Sequence, residues 1–528
     1  MKKRWMLAAS FAALAIAGCS GEEVEQKLDE EERIKNVNAE GFPIVNEAID
    51  MELYTGQAPN NLQNYEERLI WKTYADLSNI NVDFNEVPFD GLEEKVNLTL
   101  ASGEYPDAFY SAGINSQQLT EYGAQGVFIK LDELIEEYAP NLTKLMEEYP
   151  QVRKGLTMAD GHIYSFPSFY DPDFTSMVVG TPIWLNQHFL EELDMDEPTT
   201  IDEYYQYLKG VKEEELGIPY SGTSVDNFIM QIRGSWGLGT RGLAHKFIDI
   251  NPETEELRFT RTDEHYKEVL EFVHQLWSEG LIDKDIYTMT SQEFYAKGEI
   301  GNIGSMMIYN PVTQMNQNAE AYEGMAALEG PYGDSFYTHV KAALVHVGSF
   351  VITEKMENPE AAVRWVDHFY GEEGALLQFM GVEGETFEVA DDGSYEFTEE
   401  ISNHPDGLTQ DQAVAQHMTW LGGRVPSFVK SNYFTGSEGL PNAMEAGEKV
   451  KESIPEIWNY FNYTAEELQF KQSIGTDIET FILENEAAFV TGKNSFDEWE
   501  EYIEQVNNLG AEEYLAIEEA AYERYIKN

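Results

Sequence analysis

The chain has 528 residues, 42% of them hydrophobic and 13% aromatic, with one cysteine and a formal net charge of −62. The balance of 34 basic against 96 acidic side chains argues against a nucleic-acid backbone as partner and against adhesion to anionic lipid. A single cysteine allows no disulfide within the chain, so a body long enough for at least two domains must be held by packing.

Lys2, Lys3 and Arg4 form a positive head, and Trp5 to Ala17 is a short apolar run rich in Ala and Leu. A basic head, an apolar run too short to span a bilayer and small residues at its end predict a secretory signal over 1–18. Cys19, directly after Ala17-Gly18, is the only cysteine. Its placement resembles the lipobox of bacterial lipoproteins, in which the cysteine becomes a lipidated N-terminus. Acyl chains contributing ~0.8 kcal/mol per buried CH₂ would hold a soluble body at the membrane. The alternatives are an ordinary signal with a chance cysteine, or an uncleaved anchor. Cleavage before Cys19 would remove three basic residues and no acidic ones, leaving 31 − 96 = −65. The acid-rich residues 19–44 read as a tether, because such a composition cannot bury a core.

Alternation in Ile49–Tyr54 predicts a first strand and Val82–Val87 a second. Helical spacing runs through Leu69, Trp71, Tyr74 and Leu77, and again through Leu92, Val96 and Leu100. Tyr105 to Tyr110 starts a third strand. This alternation argues for a layered α/β sheet. Ser176–Gly180 reads as a buried strand and Pro182–Leu193 as a helix. Thr200 and Glu203 form a capping box for the next helix. Thr262–Glu279 is amphipathic, with Tyr266, Val269, Leu270, Val273 and Leu276 on one face. Ala342–Thr353 reads as strand, and Asn358-Pro359 as a helix start. Ser495 and Glu498 form another capping box, and two helices broken near Gly510 end the chain. No later apolar run is long enough to cross a membrane.

Catalytic signatures are missing from the sequence. Ten histidines are scattered without H-E-x-x-H, there is no G-x-S-x-G, and a chain cleaved before Cys19 would keep no cysteine but the lipidated one. Gly237-Leu238-Gly239-Thr240-Arg241-Gly242 matches G-x-G-x-x-G, but no clear strand precedes it, and a flexible loop is the better reading.

Several stretches, in order, resemble the large extracellular solute-binding lipoproteins of bacterial ABC importers (family 1 type), the branch linked to oligosaccharide uptake in Bacillus-like organisms. They are Leu100-Ala101-Ser102-Gly103-Glu104-Tyr105-Pro106-Asp107, Asp160-Gly161-His162-Ile163-Tyr164, Pro198-Thr199-Thr200 with Glu203-Tyr204, and Glu279-Gly280-Leu281-Ile282-Asp283. Further on come Asn358-Pro359-Glu360-Ala361-Ala362, Gly381-Val382-Glu383-Gly384, Phe496-Asp497-Glu498-Trp499 and Ala521-Tyr522-Glu523-Arg524-Tyr525. The resemblance implies a two-lobed α/β fold of the periplasmic-binding-protein type II, with the ligand in the cleft between lobes. One lobe would comprise 45–175 and 350–385, the other 176–349 and 386–528. Crossings are expected near Thr175–Pro182, Leu344–Ile352 and Glu383–Val389. Such proteins close by hinge motion.

The function implied is a lipid-anchored extracellular receptor, a monomer without cofactor, that hands an oligosaccharide to ABC permease subunits. A secreted carbohydrate-active enzyme, a surface adhesin, or a receptor of the same fold for a peptide or acidic sugar are the alternatives. A cluster of Arg and Lys in the cleft would support the acidic sugar. Many relatives carry a calcium loop after the Thr-Thr helix. Val211 to Gly217 lacks alternating Asp/Asn ligands, so no metal is expected there.

A sugar site needs rings to stack on hexose faces and polar groups for hydroxyls. Trp236, between glycines, could expose its ring or pack in the core. Tyr309 and Asn310 follow the aliphatic Met306-Met307-Ile308, where a strand is expected to end. Asp107 and Tyr110 flank the third strand, and Asp107 could equally be a turn residue. Trp420 and Arg424 lie around Gly422-Gly423 and could present a ring and a fork of donors. Glu383 could bond a hydroxyl or stabilise a hinge. Trp71, Trp277, Trp365 and Trp499 have the spacing of core residues.

Overall fold

The computed structural model describes residues 31, 33–57, 64–252, 254–408, 410–418 and 424–527. The signal, Cys19 and Trp420 lie outside these residues.

Two mixed sheets divide the body. The first has six strands in the order Ser427–Val429, Phe166–Tyr170, Leu344–Ile352, Ala108–Ile114, Ile49–Gln57 and Ile80–Pro88. Ile49–Gln57 pairs in parallel with both Ile80–Pro88 and Ala108–Ile114. It alternates only at its start and is buried on both faces from Leu53 to Gly56, as helix-covered parallel strands are. The connecting helix Leu92–Ser102 buries Leu92, Val96 and Leu100 and runs between left-handed glycines 91 and 103. Leu344–Ile352 runs antiparallel to both its neighbours.

The second sheet has the order Tyr322–Gly324, Ile183–Asn186, Ile303–Met307 and Ile218–Ser221. Two large apolar cores follow this division. One gathers Trp71, Tyr110 and Trp365. The other gathers Tyr204, Val269, Leu276, Trp458 and Trp499. Trp71 stacks on Trp365 at 5.8 Å. The capping boxes at Thr200/Glu203 and Ser495/Glu498 are both formed.

Several expected elements differ. Thr175–Val179 is a short helix with every residue buried, and Ile183–Asn186 is the strand, followed by the helix Gln187–Glu192. A short apolar run buried all round has no periodicity to separate the two. Residues 33–45 pack on the first core instead of hanging free. Arg33 forks onto Glu360 at 2.7 and 2.8 Å, Arg364 donates to the Gly41 carbonyl, and Ile44 is buried.

The chain passes from the first sheet to the second over 171–182 and returns over 325–343. It passes again between Val450 of the first core and Trp458 of the second. Leu344–Ile352 is therefore a strand of the first sheet, not a passage. Phe387–Val389 forms a hairpin with Tyr395–Phe397 beside the first core. Ser427–Val429 belongs to the first sheet, although it follows residue 386. No described helix is long and apolar enough to cross a membrane.

Candidate functional site

Ligands of open α/β sheets bind beyond the carboxyl ends of parallel strands. At the end of Ala108–Ile114 a cavity of about 410 Å³ opens, lined by Ser111, Asn115, Ser116, His346, Arg424 and Tyr460 among others. Its wall is irregular backbone. The strand Leu344–Ile352 shifts register against both partners between His346 and Phe350. A side chain at Gly348 would overlap the Ile114 carbonyl. Such bulges re-aim side chains, and His346 sits within this one. Ser111 holds a left-handed φ of 49°, a conformation that costs free energy and concentrates at binding sites. Its hydroxyl donates to the Arg424 carbonyl at 3.3 Å, tying that loop to the strand. Asn115 caps the helix Ser116–Ala124 with a capping box to Gln118. The helix therefore starts at the cavity wall.

Electrostatic couplings join this wall to the second sheet. The His346 imidazole is pushed down to about 4, by burial first and then by the charges of Arg424 and Lys341. Burial raises the Tyr170 phenol, with Glu438 and Tyr309 adding to the rise and Arg424 opposing it. Burial also raises the Glu438 carboxyl, against its own backbone amide and Lys341. The Lys341 ammonium lies 5.0 Å from the centroid of the Tyr309 ring. Gly180 leaves it room, since an added Cβ would lie 2.8 Å from Nζ. His339 is pushed down to about 3 by burial and then by Lys341 and Arg233.

Tyr170 ends a strand of the first sheet, and Tyr309 follows a strand of the second. His346 and Arg424 line the cavity, and the Lys341–Tyr309 pair lies beside Gly180. Tyr460, half exposed at 49%, reaches the cavity from the stretch that carries Trp458 and Phe461 into the second core. Chemically the cavity offers a tyrosine ring, an imidazole that burial keeps neutral and a guanidinium.

The residues singled out in the sequence fall at different places. Arg424 lines the cavity, and Tyr309 lies under the Lys341 ammonium. Asn310 is next to Tyr309, but its side chain is engaged. It caps the helix Pro311–Met315 and donates to the Ser437 carbonyl and to Asn442. Tyr110 is fully buried against Trp71 and bonds Gln378. Asp107 precedes the same strand whose far end forms the cavity. Ser111, the first residue of that strand to line the cavity, is four residues on, about 13 Å at ~3.3 Å each, and Asp107 instead accepts the Glu52 amide at 2.9 Å. Burial raises its carboxyl. Glu383 is exposed beside the hairpin Phe387–Phe397.

Trp236 is buried, 4% exposed, tilted against Phe272. It lines a different cavity of about 620 Å³ with Arg241, His265, Asp334 and Phe336. Its flanking glycines serve close approach of backbone: a side chain at Gly234 would overlap the Phe336 carbonyl, and one at Gly237 would meet Asp334. The G-x-G-x-x-G stretch wraps the buried Arg233, whose guanidinium occupies the place of a Gly239 side chain. Val211–Gly217 ends the helix Ile201–Glu213, with the Leu216 amide returning to the Val211 carbonyl. Among the described residues no three His, Cys, Asp or Glu side chains are placed to share a metal ion.

Of the cavity lining, sequence reasoning missed Ser111, Asn115, His346 and Tyr460. Tyr460, in the run Trp458-Asn459-Tyr460-Phe461-Asn462-Tyr463, carried a faint signal. The others meet only through long-range pairing.

Two mixed sheets joined by chain passages make a two-lobed α/β protein of the type II binding fold. The family model for bacterial extracellular solute-binding proteins matches residues 60–376, and the chain belongs to that family. The fructooligosaccharide ABC transporter substrate-binding protein FusA of Streptococcus pneumoniae is 26% identical, over 100% of this chain and 98% of that protein. Lipoprotein LipO of Bacillus subtilis is 23% identical, over 98% and 97%. An HMO-binding, ABC-transporter-associated solute-binding protein from Bifidobacterium longum infantis superposes with a TM-score of 0.78. It is 21% identical, over 90% of this chain and 99% of that one.

Proposed function

We propose that this chain is the extracellular receptor of an ABC importer, capturing an oligosaccharide between its lobes and delivering it to the permease. The observation that carries this reading is the cavity at the end of Ala108–Ile114, where Tyr460 stands with Ser111, Asn115, His346 and Arg424. Rings stack on the C–H faces of sugars, and the polar groups meet hydroxyls. The full-length likeness to a fructooligosaccharide-binding relative supports the same class of ligand.

The remaining parts of the reading rest on the sequence. A lipid on Cys19 holds the body, a monomer, at the outer face of the membrane, and the first residues of the chain serve as its signal. The lobes turn about the passages at 171–182, 325–343 and 451–457, and the closed form binds ligand more tightly. The protein binds without catalysing a reaction.

A thermal-shift screen of the soluble body against oligosaccharides, peptides and single amino acids tests the reading. A ligand bound only by the native state at 100 times its Kd adds about 2.7 kcal/mol of stability. A shift with one glycan class and no product formed is expected. A shift with peptides alone would remove the sugar, and turnover of the glycan would replace the receptor with an enzyme.

A further inference from the structure

The cavity of about 620 Å³ that holds Trp236 shares no lining residue with the one at the end of Ala108–Ile114. Its volume is that of a small-molecule site. Three parts of the chain converge on it. The stretch after the helix Val225–Ile232 brings Trp236 and Arg241, the start of the helix Glu264–Ser278 brings His265, and the passage 325–343 brings Asp334 and Phe336. Much of their bonding capacity is unused. His265 Nδ1 lies 3.1 Å from the Trp236 carbonyl, so Nδ1 carries the proton and Nε2 of the neutral ring is left as an acceptor. The Asp334 carboxylate lies against Gly237, where an added Cβ would be 2.9 Å from Oδ2. Among the described residues that carboxylate has neither a hydrogen bond nor an ion pair. Arg241 lies over the Trp458 ring at 5.2 Å and donates to the Thr240 carbonyl, while its Nε is buried without a partner. The Phe336 ring is 37% exposed, and Tyr332 stacks on His265 at 4.3 Å.

We propose that this cavity is a second saccharide site, on the second lobe and separate from the interlobe one. This rests on the oligosaccharide-receptor reading and adds a binding place to it. The Asp334 carboxylate and the His265 nitrogen need donors, and the Arg241 guanidinium needs an acceptor. A sugar hydroxyl both donates and accepts, so a polyhydroxylated ring answers all three, whereas an ion of one sign answers only one kind. The exposed face of Phe336 and the stacked Tyr332 and His265 suit the C–H face of such a ring.

The test is calorimetric titration of the soluble body with three neutral trisaccharides, kestose, maltotriose and mannotriose, and with single amino acids as the zwitterionic alternative. At least one trisaccharide is expected to bind at two classes of site, two molecules per chain. Phe336→Ala and Asp334→Asn are each expected to weaken one class about tenfold or more and to leave the other within about twofold. The melting temperature should be kept, since Phe336 lies in neither large core and Asp334 is partly exposed. Tyr460→Ala is expected to weaken the other class instead. One molecule per chain, lost in Tyr460→Ala and untouched by Phe336→Ala and Asp334→Asn, would overturn the second site and leave the receptor standing. One molecule per chain, lost in Phe336→Ala and untouched by Tyr460→Ala, would uphold the second-lobe site and overturn the interlobe one. An amino acid bound at the class that Asp334→Asn weakens, with no trisaccharide there, would overturn the saccharide as its ligand. Binding of no trisaccharide at either class would overturn both.

Discussion

The ammonium of Lys341 stands over the ring of Tyr309, 5.0 Å from its centroid, so that a residue leading into the first sheet caps an aromatic of the second. The ring is 39% exposed and is not part of either large core. Tyr309→Ala should therefore weaken glycan binding about tenfold, ~1.4 kcal/mol, while the unliganded melting temperature changes little. Titration of the variant beside the parent checks this. Unchanged affinity would remove Tyr309 from the site.

Gly239 is a different kind of residue, needed for the fold. Its φ is 72°, and the space a side chain would take is filled by the buried guanidinium of Arg233. Gly239→Ala combines a disfavoured backbone conformation with displacement of that group. A loss of about 1–3 kcal/mol is expected, read as a lower denaturation midpoint. Stability equal to the parent would show that the turn relaxes around Arg233.

The first-lobe strands and most helices were legible because their apolar spacing is local. Leu92, Val96 and Leu100 declare one face, and Thr200/Glu203 and Ser495/Glu498 declare helix starts. The passages were not, because Leu344–Ile352 looks the same whether it crosses between lobes or closes a sheet. Of the cavity lining, the sequence singled out Arg424 alone. The rest comes from strand ends and loops hundreds of residues apart, and no spacing rule connects Ser111 to Tyr460. Glycines around Trp236 suggested exposure, yet they are there because backbone packs on backbone.

Asp107 and Tyr110 separate fold from site along one strand. Asp107→Asn keeps an oxygen for the Glu52 amide and lies four residues, about 13 Å at ~3.3 Å per residue, before Ser111 at the cavity wall. Its glycan affinity should match the parent within twofold. Tyr110→Phe leaves Gln378 without its hydroxyl partner in the core and should cost about 1–3 kcal/mol of stability, again with affinity kept. A tenfold affinity loss in Asp107→Asn would relocate the ligand.

Acid should weaken the unliganded protein through its buried histidines. His339 is pushed down to about 3, and His346 and His368 to about 4, each mainly by burial. The unfolded chain binds protons at these groups near 6.5 and the folded chain does not, so stability falls as pH drops from about 6.5 toward 4. Asp367 opposes this, as do the other carboxyls that burial raises, Asp107, Glu438 and Glu486 among them. Burial raises the Asp367 carboxyl to about 6, so the folded form is protonated first and gains stability as pH falls from 6 to about 4. Glu518 is held at about 2, with His245 and Lys471 outweighing its burial. Its contribution is lost only below about 4.5. A net decline in melting temperature between pH 6.5 and 4 is expected, shallower in His346→Gln. A flat profile would mean these imidazoles are solvated.

Closure should be visible as a change of shape. The helix Pro441–Val450 rests on the short helix Thr175–Val179 within the first passage, and Gly447 comes so near that an added Cβ would lie 2.6 Å from the Ser176 amide nitrogen. Ala446 of the same helix packs with Trp184 of the second sheet, while Val450 lies in the first core. This helix therefore touches both lobes, and relative rotation of the lobes must proceed around it. Because a ligand shifts the equilibrium only by its differential affinity for the closed form, saturating glycan should lower the radius of gyration in small-angle scattering. Gly447→Val, which wedges this contact, should bind more weakly and show a smaller change. An identical scattering profile with and without saturating ligand in the parent would rule out hinge closure even where binding itself is secure.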